Sequence, residues 1–226
     1  MVIKNFKNEK IQEANRYIKE LVYQSAHLEN KEITYTETIN TIEYYKEAIK
    51  KIPFEKVVII DGLRKAYEYI IQRANSNEMP NEKDIQQVNR LIDGYEEPVE
   101  AGNWRRHKVR ISGSCWVPPI WSTVQCTHFI LNKSNIKSFD DGIKLCAGIS
   151  KNQLFSNGNK RTAICYANLV LLYNGYDCIK INDRTEYTNK LIDYYEDENN
   201  FDKYLECIKK ESIDSNEQKM SDEMEM

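Results

Sequence analysis

The chain has 226 residues, of which only eight are glycine and five are proline, roughly half of typical usage. This excludes collagen, Pro/Gly-rich disorder, many-turned β-sandwiches and a glycine-dependent doubly wound nucleotide sheet, and it predicts a mainly α-helical domain, with or without a helical extension. The net charge of −3 and pI of about 5.8 leave no electrostatic footprint for nucleic acid.

Glu9–Ala26 places Ile11, Ala14, Ile18, Leu21, Val22 and Ala26 at helical spacing. Thr36–Ile52 repeats the pattern through Ile39, Ile42 and Ala48, and Pro53 stops it. In Glu55–Ala74 the run Val57–Ile60 alone would read as a strand, but Leu63, Ala66, Tyr67, Ile70 and Ile71 favour helix. Pro80-Asn81 opens a helix over Glu82–Ile92 with acidic residues in its first turn, as the dipole prefers. Lys108–Ile111 alternates polar and apolar, Gly113 turns and Cys115–Val117 returns, which predicts a short β-hairpin closed by Pro118-Pro119. Helices are expected at Pro119–Leu131 and Phe139–Gln153, with a loop over Leu154–Gly158. Lys160–Tyr173 is apolar all round, the mark of a central buried helix, and Asn174-Gly175 caps it. A short strand at Cys178–Ile181, closing helices at Glu186–Glu196 and Phe201–Lys210, and a disordered acidic tail over Ser212–Met226 complete the reading.

No apolar run reaches the roughly 18 residues of a membrane span. The opening MVIKNFKNEKIQEA lacks the apolar stretch of a signal peptide. Six cysteines are scattered without CxxC spacing, which fits a reducing cytoplasmic setting and not zinc.

The chemistry concentrates in Gln153-Leu154-Phe155-Ser156-Asn157-Gly158-Asn159-Lys160-Arg161. A glycine loop here feeds the N-terminus of a buried helix. The first N–H groups of such a helix have no internal partner and, with the dipole, form an anion site. Gly158 allows close backbone approach, and Lys160 and Arg161 add charge. The same residues also read as a capped core helix with basic residues exposed at its start. Because basic residues oppose the dipole at that end, the pattern leans toward a bound anion. Ser156 and Thr162 carry hydroxyls that reach either a phosphate or, the favoured role for each, the backbone as a cap or back-bond.

This segment resembles the Fic/Doc (Fido) motif HxFx(D/E)GN(G/K)RxxR, with Phe155, Gly158, Asn159, Lys160 and Arg161 in register. Trp104 to Ser114 with Val117-Pro118-Pro119 is similar to that family's flap, with Val109, Ile111 and Gly113 in place. Ser25-Ala26-His27-Leu28-Glu29-Asn30 resembles its inhibitory segment. The resemblance implies a Fido-type helical bundle: an N-terminal extension over 1–52, a core over 53–182, C-terminal helices over 183–211 and a tail over 212–226. It also implies ATP as donor, Mg²⁺ on the phosphates, transfer of AMP or phosphate to a protein hydroxyl, a target docking at the flap, and an antitoxin-like regulator.

The departures bear on the chemistry. Gln153 stands where the family has its proton-accepting histidine, and an amide orients a hydroxyl without accepting its proton. Asn157 replaces the metal-holding acid with a neutral oxygen, a weak Mg²⁺ ligand. Ile164 replaces the second arginine, so Glu29 is left either to pair with Arg161 or to lie in solvent. His27, His107 and His128 are the remaining histidines; ordinary surface or interface roles suit each better than service as a substitute base. Two readings follow: a module that binds a nucleotide or phosphate ligand with catalysis weakened or lost, or a slow protein adenylyltransferase or phosphotransferase that works by positioning.

Overall fold

The computed structural model describes residues 2–29, 32–210 and 212, with side chains from residue 6 onward. Asn30 and the tail from 213 therefore lie outside the described residues. The helices run α1 (Val2–Arg16), α2 (Ile18–Glu29), α3 (Tyr35–Glu43), α4 (Tyr45–Lys51), α5 (Phe54–Ala74), α6 (Glu82–Asp93), α7 (Thr123–Lys133), α8 (Phe139–Asn152), α9 (Asn159–Tyr173) and α10 (Arg184–Glu196), then α11 (201–210). The fold is helical, as the composition implied, with no strand among the described residues.

The central helix is α9, packed against α8, α5 and α6. Ala163, Cys165, Tyr166, Ala167, Leu169, Val170 and Leu171 are fully buried along it. Gly142 permits the close approach of α8, because a Cβ there would stand 2.4 Å from Leu171 Cδ2. At the far end Tyr176 N–H donates to Leu171 O (3.0 Å) across Gly175, the expected C-terminal cap. Leu21, Val22 and Ala26 of α2 join the same core. No helix of the described residues is long and apolar enough to cross a membrane.

Two expected helices are each divided. Between α1 and α2 the backbone ladder continues through Tyr17, whose N–H donates to Glu13 O at 3.0 Å. Between α3 and α4, Tyr44 leaves helical geometry at φ −130°, ψ 51°. Ile42 and Ala48 are out of phase on one unbroken helix, and the break brings Ala48 inside at 3% exposure.

Neither expected strand is paired among the described residues. In the flap, the backbone groups find side-chain partners in place of each other. The buried Arg105 guanidinium donates to the carbonyls of Gln153 (2.7 Å), Pro119 (2.7 Å) and His107. The Glu196 carboxylate accepts from Cys115 N–H (2.6 Å) and the Ser114 hydroxyl. The flap is thus an irregular strap, 105–121, turning at Gly113 with Ser114 N–H on Ile111 O (3.2 Å). At Cys178–Ile181 the same substitution occurs: Ile179 N–H donates to Asn168 Oδ1 (2.7 Å) and Ile181 N–H to Gln24 Oε1 (3.1 Å).

Candidate functional site

The motif loop is held at both ends by left-handed residues. Gln153 closes α8 at φ 47°, and among the described residues it is the one non-glycine with positive φ. Gly158 opens α9 at φ 69°. Between them Phe155 is fully buried and stacks on Trp104, centroids 5.1 Å apart. The Asn159 side chain locks the loop: Oδ1 accepts from Phe155 N–H (2.9 Å), while Nδ2 donates to Phe155 O (2.8 Å) and to Gln153 Oε1 (3.1 Å). Gln153 Nε2 in turn donates to Ser150 O at 2.6 Å. Both ends of the Gln153 amide are therefore fixed, with one N–H and one lone pair left over.

A cleft of about 630 Å³ opens in front of this loop. Its floor is Gln153 and Ser156–Lys160, one rim is Val109–Ser112 of the strap, and α10 forms the opposite wall through Arg184, Thr188, Leu191, Ile192 and Tyr195. Leu28 and Glu29 close the end at α2. The N-terminus of α9 faces it with no side-chain cap, unlike α3, α6, α7, α8 and α10. Burial lowers the Lys160 pKa, against the pull of Glu29.

Behind the loop lies a different environment. The Arg161 guanidinium is fully buried, and its Nη2 stands 3.7 Å from the point a Cβ on Gly158 would occupy. Its Nε is 3.1 Å from Glu29 Oε2, and Nη2 is 3.9 Å from Asp93 Oδ1 and 3.8 Å from Glu96 Oε2. None of these approaches has hydrogen-bond geometry. Asn157 Nδ2 donates to Asp93 Oδ1 (2.8 Å) and Glu96 Oε2 (3.2 Å). Burial raises the Asp93 pKa to about 6, Arg161 pulling it down and Glu96 pushing it up. Asn89 ties the two sides together, its Nδ2 donating to Asn157 O (3.1 Å) and Thr162 Oγ1 (3.0 Å).

Most of the residues singled out in the sequence gather at this place. Gln153, Ser156, Asn157, Gly158, Asn159, Lys160, Val109, Ile111 and Glu29 all line the cleft. Arg161 does not, and in this arrangement it meets carboxylates. Of the two roles open to Glu29, pairing with Arg161 is the one seen, although its side chain keeps 33% exposure. Ser25 is a core residue sharing a hydrogen bond with Tyr67 (2.9 Å), and Ile164 is buried. His27, His107 and His128 do not line the cleft. The α10 wall and the Asp93/Glu96 pair escaped the sequence reading, since neither carries a motif; the one signal was Asp183 as N-cap, which places Arg184 in a first turn.

For magnesium, the donor set toward the cleft is one neutral amide oxygen from Asn157. Asp93 and Glu96 already receive the Asn157 amide, and no group of three or more ligating residues occurs among the described residues. Magnesium is held by carboxylates together with substrate phosphates, so these residues do not form a magnesium site of their own.

The Fic/DOC family model matches residues 80–171. Two protein adenylyltransferases named Fic, from Aedes aegypti and Culex quinquefasciatus, are 26% and 27% identical over 179 residues, 76% of this chain. The chain spans 35% of the length of these relatives. Among solved structures, Fic-1 from C. elegans superposes with TM-score 0.75 at 19% identity, covering 98% of this chain and 72% of that one. A Fic-domain signaling protein from Bacteroides thetaiotaomicron gives 0.68 at 23% identity, covering 81% and 74%. The family match spans the loop, the buried helix behind it and the strap, so residues 80–171 are similar to the Fic/DOC family, and the chain shares the fold of these solved structures.

Proposed function

We propose that the cleft binds a nucleotide, with ATP as the donor form, and that transfer of AMP or phosphate to a protein hydroxyl is weakened or lost. The observation that carries this reading is the uncapped start of α9 at Gly158–Lys160, facing the cleft beside a fixed glutamine. The helix N-terminus and Lys160 take phosphate oxygens. Leu191, Ile192 and Tyr195 across the cleft give an apolar surface for the base. The names of the Aedes and Culex relatives support ATP as the donor.

In adenylyl transfer, a target hydroxyl oxygen bonds to the α-phosphorus, the bond to pyrophosphate breaks, and the hydroxyl proton leaves. Gln153 Oε1 orients that hydroxyl through its remaining lone pair but does not keep the proton, which passes to water. Loss of a general base costs roughly 10²–10⁴ in rate. What remains is positioning and charge, on which phosphoryl chemistry chiefly depends. The slower-enzyme reading rests on that remainder. A target protein, or an antitoxin-like regulator, docks along the strap in either case.

The test is incubation of the whole chain with a lysate and ATP labelled at the α- or the γ-phosphate. ATP-dependent thermal stabilisation without label transfer supports the binding module. Transfer of the α-phosphate label, lost in Lys160→Ala, overturns it in favour of the adenylyltransferase, and transfer of the γ-label points to phosphotransfer.

A further inference from the structure

The second arginine of the motif is absent, and Ile164 in its place lies inside the core at 2% exposure. That position offers no cation to a ligand. The cleft nevertheless holds three cationic side chains, Arg110, Lys160 and Arg184, against the single carboxylate of Glu29. In a chain of net charge −3, this is a local reversal of sign.

Arg184 comes from a separate element, the first turn of α10. Its Nε donates to Leu28 O at 3.4 Å, which holds the stem of the guanidinium against the end of α2. The Nη groups have no protein partner among the described residues. Lys160 lines the same cleft, where burial disfavours its charged form, Glu29 favours it and Arg184 disfavours it. Two cations facing one half-buried space repel each other unless an anion lies between them.

We infer that Arg184 grips the outermost phosphate of a nucleoside triphosphate, making the cleft selective for triphosphates over di- and monophosphates. The inference rests on the nucleotide reading above and adds to it a residue and a specificity. The division of labour follows from position. The α9 N-terminus takes the phosphate nearest the loop, and Arg184 with Lys160 takes the charge farther along, beside Glu29. A guanidinium with both Nη groups free grips a terminal phosphate by two parallel hydrogen bonds.

The experiment is calorimetric titration of the full chain with ATP, ADP and AMP, for wild type, Arg184→Gln and Arg184→Lys, with the melting temperature of each unliganded protein. Loss of a charge-assisted phosphate contact weakens ATP roughly tenfold in Arg184→Gln. AMP binding stays within about twofold, and Arg184→Lys recovers part of the loss as a point charge. Equal affinity for ATP in wild type and Arg184→Gln overturns the inference and leaves the nucleotide reading standing. An equal loss for all three nucleotides, with a lowered melting temperature, also overturns it, because Arg184 would then serve only to tether Leu28. If wild type binds none of the three, the nucleotide reading and this inference fall together.

Discussion

The two sides of the motif loop are built on opposite principles. The front, from Gly158 to Lys160, is cationic, uncapped and open to the cleft. The back, around Arg161, is closed, with a buried guanidinium among Glu29, Asp93 and Glu96 and an amide from Asn157. The front leaves the helix N-terminus and Lys160 facing open space. At the back the protein supplies its own anions. Hence the departures at 153 and 157 are not equivalent: Gln153 is a change at the front, on the surface where a reaction would occur, whereas Asn157 is bound into the charge balance at the back.

The comparison breaks most severely at Arg161. Arg161→Ala leaves three carboxylates without their buried cation, and about 3–5 kcal/mol of stability is lost, read as a fall in melting temperature; an unchanged value would mean that the acids are solvated. Next comes Gln153→His. A base restored at the front raises transfer from α-labelled ATP by about 10²-fold or more without lowering the melting temperature, and no gain would show that proton removal is not what limits the site.

A smaller effect is expected at Asn157→Asp. A third carboxylate replaces the amide that Asp93 and Glu96 accept from, costing about 1–3 kcal/mol. Adding Asp93→Asn recovers most of it, and additive losses in the double variant would rule out this coupling. The smallest effect is the pH slope. Asp93 titrates at about 6 in the folded protein against 3.8 ordinarily, so the folded state binds the extra proton. Its contribution is full below the ordinary value and is lost as pH rises through about 6. Asp93→Asn removes that part of the decline in melting temperature between pH 5 and 7, and an unchanged profile assigns the slope elsewhere.

The front of the loop was legible in the sequence because it depends on local rules. A glycine before a long apolar run marks a helix start, and Lys160 next to it marks a charge at that start. The core of α9 was legible from its all-round hydrophobicity. The back was not, because Asp93 and Glu96 reach Asn157 across more than sixty positions, and no local pattern encodes such a meeting. The strap misled for a related reason. Lys108–Ile111 alternates like a strand, yet Arg105 and Glu196 supply the partners that a second strand would have provided. Arg184 sat just before what read as an ordinary closing helix at Glu186–Glu196, and only the folded chain brings it to the same cleft as Lys160.

The grip of Glu196 on the strap has a mechanical side. Glu196 is the last residue of α10 and Arg184 is the first. Lys151 reinforces that end, its ammonium 4.6 Å from the Trp116 ring and 4.8 Å from that of Tyr194. Thirteen residues of helix make a rod of about 20 Å, with a guanidinium at the cleft and a carboxylate clasping the strap. A helix of that length transmits displacement with little bending. Any tilt of α10 at its guanidinium end is therefore carried to the strap, and anything seated on the strap pushes back on the same rod.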